Sequence, residues 1–84
     1  MIKVLFFASI REQLGTDSLS IEFNERWDTV EAFTQFLAAE RGGQWAEVLL
    51  ADNIIKAVNQ EVAEGCTVIG DGDEIAFFPP VTGG

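Results

Sequence analysis

Histidine and tyrosine are absent from this 84-residue chain, cysteine occurs once, proline twice, and Lys and Arg number 5 against 14 Asp and Glu. Each shortage closes a class of function. Without His there is no imidazole general base, no His-based triad and none of the commonest metal ligand. The single Cys66 can close no internal disulfide and supply no zinc cluster. With no imidazole to ionise it, Cys66 reads as packing or edge filler and not as a nucleophile. Asp71, Asp73 and Glu74 surround two glycines but lack the ligand spacing of a calcium loop, so no metal is expected. A net charge of −9 repels phosphate backbones and anionic lipid. That argues against nucleic acid and membranes and for a protein partner with a basic groove. The longest unbroken apolar run is Val4 to Ala8, far short of the ~20 residues a spanning helix needs. No secretory pattern opens the chain, so a soluble, cytoplasmic protein is expected.

What the chain does have is core material: 48% apolar residues, seven Phe and two Trp. That is enough for one small domain, although a chain of this size removes only roughly 60% of its surface from water. Ile2 to Ala8 reads as a strand apolar on both faces, with Ile2, Val4 and Phe6 on one and Leu5 and Phe7 on the other, so it should be central or covered on both sides. Ser9 can cap a short turn that Gly15 ends. Leu19, Ile21 and Phe23 alternate with polar residues, predicting a half-buried strand paired antiparallel with the first. The clearest helix has Asp28 as its expected N-cap, with Glu31 at capping-box spacing, and runs to about Arg41, where Gly42-Gly43 stops it. Val30, Phe33 and Leu37, with Phe36 beside them, form one apolar stripe. Trp45, Val48 and Leu49 have helical spacing over a short stretch. Ile54 to Val58 and Glu61 to Ala63 flank Asn59-Gln60 as a two-residue hairpin. Cys66 to Ile69 adds a possible edge segment, Gly70 to Asp73 a tight turn, and Glu74 to Phe78 the last strand. This order is α+β: a mixed sheet of four or five strands crossed by one main helix, the arrangement called a β-grasp. Residues 1–78 form that domain and 79–84 an extended tail.

The tail holds the candidate chemistry. Pro79 and Pro80 fix φ near −65° and donate no backbone hydrogen bond, so they end strand pairing and push the chain outward. Beyond them Val81, Thr82, Gly83 and Gly84 reach about 13 Å at ~3.3 Å each, enough to enter a neighbour's cleft. Gly83 and Gly84 lack Cβ atoms, so they pass a narrow channel and leave the last carbonyl carbon unhindered. A Gly-Gly end alone is weak evidence, because chain ends of small residues commonly fray. The outer residues Phe7, Leu5 and Phe78, joined by Val62, form a patch beside the tail that marks a partner interface unless the Trp45 segment covers it. No Lys or Arg follows Lys56, while Glu61, Glu64, Asp71, Asp73 and Glu74 do, which steers a basic cleft toward this end.

The run from Gly70 through Ile75-Ala76-Phe77-Phe78-Pro79-Pro80-Val81-Thr82-Gly83-Gly84 closely resembles the C-terminus of the small subunit of molybdopterin synthase, the MoaD family of ubiquitin-like sulfur carriers. The opening Ile2-Lys3-Val4-Leu5-Phe6-Phe7-Ala8, the Arg11-Glu12 turn, the helix start Thr29-Val30-Glu31 and Val58-Asn59 resemble the same family, in order and over nearly the whole chain. The resemblance implies a ubiquitin-like β-grasp with no bound cofactor. It implies that Gly84 is adenylated with ATP by an enzyme resembling ubiquitin-activating enzymes and converted by a sulfur donor to a thiocarboxylate. It further implies a large partner subunit in a 2:2 heterotetramer, where the sulfur attacks a cyclic pyranopterin phosphate precursor. In that scheme Gly84 reacts and Gly83 gives access, and the chain is no enzyme by itself. Thiamine or tRNA thiolation, or a role as a ubiquitin-like protein modifier, are the alternatives.

Overall fold

A computed structural model describes residues 1–80. Five strands, β1 (Ile2–Phe6), β2 (Ser18–Ile21), β3 (Ile55–Val58), β4 (Glu61–Ala63) and β5 (Glu74–Phe78), form one mixed sheet in the order β2-β1-β5-β3-β4. β1 pairs antiparallel with β2 and parallel with β5, which in turn pairs antiparallel with β3. The helices are α1 (Ala8–Leu14), α2 (Val30–Arg41) and α3 (Gly43–Leu49), and a single 3-10 turn covers Glu25–Trp27. This is the β-grasp layout expected from the element order. No helix among the described residues is long and apolar enough to cross a membrane.

The core lies between one face of the sheet and the helices. Ile2, Val4 and Phe6 of β1 and Ile75 and Phe77 of β5 meet Val30, Phe33 and Leu37 of α2, all of them buried. Trp27 is buried too and stacks on Phe36 with ring centroids 5.0 Å apart. Trp45 packs its edge against Phe6 at 5.3 Å, with the Arg41 guanidinium 4.9 Å over its ring. α3 therefore closes the same side of the sheet that α2 covers.

Local details depart from expectation in four places. The N-cap of α2 is Thr29, whose hydroxyl accepts from the Ala32 N–H at 3.2 Å. Asp28 instead closes the 3-10 turn, and its carbonyl accepts from the Ile69 N–H at 2.8 Å, so it cannot also take the extended cap position. Ser9 lies inside α1, because the Phe7 carbonyl already accepts from the N–H groups of Ile10 and Arg11. Gly42 ends α2 with a bond from its N–H to the Ala38 carbonyl, but Gly43 opens α3 instead of extending the stop. Cys66 is exposed in a loop and is not packing, and its segment contributes one isolated bridge, Thr29 to Val68, in place of an edge strand.

The hairpin forms as its sequence predicts. Asn59 and Gln60 both have positive φ, 50° and 73°, the pattern of a two-residue turn whose twist suits the flanking strands. Asn59 also ties the turn to β5: its amide donates to Asp73 at 3.0 Å and its side-chain carbonyl accepts from the Glu74 N–H at 3.0 Å. Asp73 in turn accepts from the Gly70 N–H at 2.8 Å. The start of β5 is thus held by polar contacts within its turn.

Candidate functional site

Alternation along the strands sorts side chains onto two faces. On the face away from the helices, Leu5 stands opposite Ala76, Ala57 opposite both Ala76 and Val62, and Ile55 opposite Phe78. Phe7 leaves the end of β1 still tied to the sheet, its N–H donating to the Phe77 carbonyl at 3.2 Å. Its ring lies flat on Phe78, with centroids 4.6 Å apart and planes 4° from parallel. Leu5, Phe7, Val62 and Phe78, with Ala57, Ala76, Gln60 and Glu74, line a shallow cavity of about 310 Å³. Val62 is 81% exposed and Phe7 37%.

The four apolar residues singled out in the sequence therefore come together. The Trp45 segment does not lie over them, since its ring is against Phe6 on the opposite face. β1 is interior to the sheet as expected, but only one of its faces is covered by other described residues. Ala57 and Ala76, which floor the cavity, and Ile55 escaped the sequence reading. Hairpin register was the available signal: a turn at Asn59-Gln60 places Ala57 across from Val62.

Pro79 and Pro80 sit elsewhere. They line a groove of about 380 Å³ between α1 and α3, with Ser9, Gln13, Gln44 and Glu47 among its other walls. The chain thus leaves β5 around the edge of the aromatic patch and toward the helices. Val81, Thr82, Gly83 and Gly84 lie outside the described residues. No described acid, base or thiol stands at the aromatic cavity except Glu74. The lining of that cavity is mainly apolar.

The ThiS family matches this sequence over residues 4–84. The chain belongs to the ThiS family. Among ThiS-like relatives, the molybdopterin synthase sulfur carrier subunit of Escherichia coli (strain K12) is 48% identical over 84 residues, spanning 100% of both chains. The subunit of the same description from Mycobacterium tuberculosis is 64% identical over 87 residues, covering 99% of this chain and 96% of that one. A solved protein-protein complex of subunits 1 and 2 of molybdopterin-converting factor from Helicobacter pylori 26695 contains a chain of the same fold. It matches with a TM-score of 0.67 and 24% identity, covering 99% of this chain and 97% of that chain.

Proposed function

We propose that this protein is the sulfur-carrier subunit of a molybdopterin synthase, with the Gly84 carboxyl as the group that carries sulfur. The observation that carries this reading is the similarity to the Escherichia coli sulfur carrier subunit, which extends over the full length of both chains and so takes in Gly83 and Gly84. The chemistry follows from the weakness of a carboxylate as an electrophile. An oxygen of Gly84 attacks the α-phosphorus of ATP and pyrophosphate leaves, giving an acyl-adenylate. A sulfide-level donor then adds to the acyl carbon and AMP departs, leaving a thiocarboxylate whose sulfur is the better nucleophile. That sulfur attacks the cyclic pyranopterin phosphate, and hydrolysis returns the carboxylate. One dithiolene needs two such deliveries. Dependence on ATP fits a cytoplasmic reaction.

In this reading the protein supplies sulfur and reach, while a large partner subunit supplies the precursor pocket, in a 2:2 assembly. The Phe7–Phe78 face is the docking surface for that subunit. An apolar cavity flanked by the exposed Phe7 ring and the half-buried Phe78 ring is what the centre of a protein interface requires. The acidic balance of the chain favours an electropositive partner surface. The adenylating enzyme must also hold the chain while Gly84 reacts.

Incubation with the adenylating enzyme, ATP and a sulfur source, followed by intact mass spectrometry, tests the reading. One sulfur replacing one oxygen at the Gly84 peptide is the expected result. Deleting Gly83 and Gly84 should abolish loading and precursor conversion while leaving thermal unfolding nearly unchanged, since the last residues of a domain commonly add little to its stability. Undiminished conversion by the truncated chain would refute the assignment, and attachment of the chain to lysines of other proteins would favour a modifier.

A further inference from the structure

Ala8 has φ +52°, a left-handed conformation that costs an L-residue energy because Cβ crowds its own carbonyl. Nothing about its own side chain compensates: Ala8 is exposed. Glycine would take this backbone without penalty, so the strain is held by what lies on either side. Upstream, Phe6 is buried and stacked on Phe77 at 5.7 Å. Downstream, α1 is anchored by Ile10 and Leu14, both in the core. The single residue between Phe6 and Ala8 is Phe7. Its N–H is bonded to Phe77, while its carbonyl accepts from Ile10 at 3.1 Å and Arg11 at 3.4 Å. Strand, aromatic ring and helix are thereby joined through one strained link.

We propose that Ala8 is a positioning residue for docking: its left-handed backbone aims Phe7 onto Phe78 and, because alanine has few alternatives there, keeps the ring in place before the partner arrives. If Ala8 relaxed to right-handed φ, the strand or the helix would have to change direction, and both are fixed in the core. Phe7, exposed like Ala8 but with its ring packed outside the core on Phe78, is the part free to yield. A glycine would relieve strain and also let the Phe7 peptide wander, so that part of the binding energy goes to ordering the ring. Stability and docking then respond in opposite directions to the same change. This proposal rests on the Phe7–Phe78 face being the docking surface.

The test compares three full-length chains made by ligation of synthetic and expressed segments: native, Ala8→Gly, and one with Ala8 replaced by D-alanine, whose preferred φ is positive. Phe7→Arg serves as the control. Melting temperature, affinity for the large synthase subunit and the ring-current shifts of Phe7 and Phe78 are measured on each. Ala8→Gly should melt at or above the native temperature, by up to about 5 °C, yet bind roughly 3- to 10-fold more weakly with averaged Phe7 ring signals. The D-alanine chain should melt higher than native and recover native affinity and resolved ring shifts. Native-like binding by Ala8→Gly, with Phe7→Arg unable to bind, would overturn the role of Ala8 alone. Native-like binding by Phe7→Arg would remove the docking surface itself and this proposal with it.

Discussion

Phe6 with Phe77 and Phe7 with Phe78 are two stacked aromatic pairs, the first at the last register position shared by β1 and β5 and the second one residue further on. They differ in what lies over them. The inner pair is roofed by α2 and α3, with Phe33 and Trp45 completing its enclosure, and both rings are buried. The outer pair borders the open cavity floored by Ala57 and Ala76, and no described segment crosses it. Composition and local geometry are nearly the same, so exposure is the property that separates a structural pair from one available to a partner. A sheet this small has material for a single helical layer. The same alternation that builds the core therefore leaves an aromatic face on the other side.

The comparison breaks most sharply at Phe77. Replacing it with Ala removes a fully buried ring and leaves a cavity, at a cost of about 3–5 kcal/mol. That is a large part of the roughly 5–15 kcal/mol available to a small domain. Urea unfolding should show Phe77→Ala at least partly unfolded in buffer, and its partner binding should fall in proportion to the folded fraction. The outer pair should behave in reverse. Phe78→Arg should lower affinity for the large subunit by about 2 kcal/mol, or roughly 30-fold, if it is a hot spot. Its unfolding free energy should shift by less than about 1 kcal/mol, as for other surface changes. Equal losses of folding and binding at Phe78 would mean the two faces are not different in kind.

A smaller effect probes the roof. Thr29 caps the helix that covers the inner pair, so Thr29→Ala should cost about 1 kcal/mol by denaturant unfolding, with binding by the folded protein unchanged. Asp28→Ala tests the capping-box reading of the sequence and should cost less, because the Asp28 contact seen here is made by its backbone carbonyl. A larger loss at Asp28 than at Thr29 would return the cap to the acidic residue.

Much of this organisation is written in local pattern. Periodicity alone places Val30, Phe33 and Leu37 in the core, and the limits of β5 are set by Asp73 in a turn and by Pro79, which has no N–H to continue a ladder. Local pattern does not settle the cap, because Asp28 and Thr29 are both good N-cap residues and the contact that decides between them comes from Ile69, far along the chain. Long-range pairing is also why the floor of the outer cavity was missed. Ala57 and Ala76 carry no signal of their own and become part of a surface only when β3 is set against β5. Similarly, no short-range pattern announces that Ala8 must adopt positive φ, since the demand arises from two anchored elements meeting there. The strained alanine and the paired alanines are tertiary facts expressed through residues that look unremarkable one by one.

The gentlest change acts on both sides of the comparison at once. Gln60 occupies the second position of the hairpin turn at φ 73° and also lines the outer cavity. Glycine takes positive φ at no steric cost, so Gln60→Gly should raise stability by about 0.5 kcal/mol, the relief of strain being offset in part by the greater freedom of the unfolded chain. The same substitution strips one polar wall from the cavity while leaving Phe7, Phe78 and Val62 in place. If the aromatic stack carries docking, a binding titration should show affinity for the large subunit within about twofold of native, because contacts around a hot spot are individually near neutral. A clear loss of affinity in a chain that has become more stable would instead assign recognition to the hairpin end of the face.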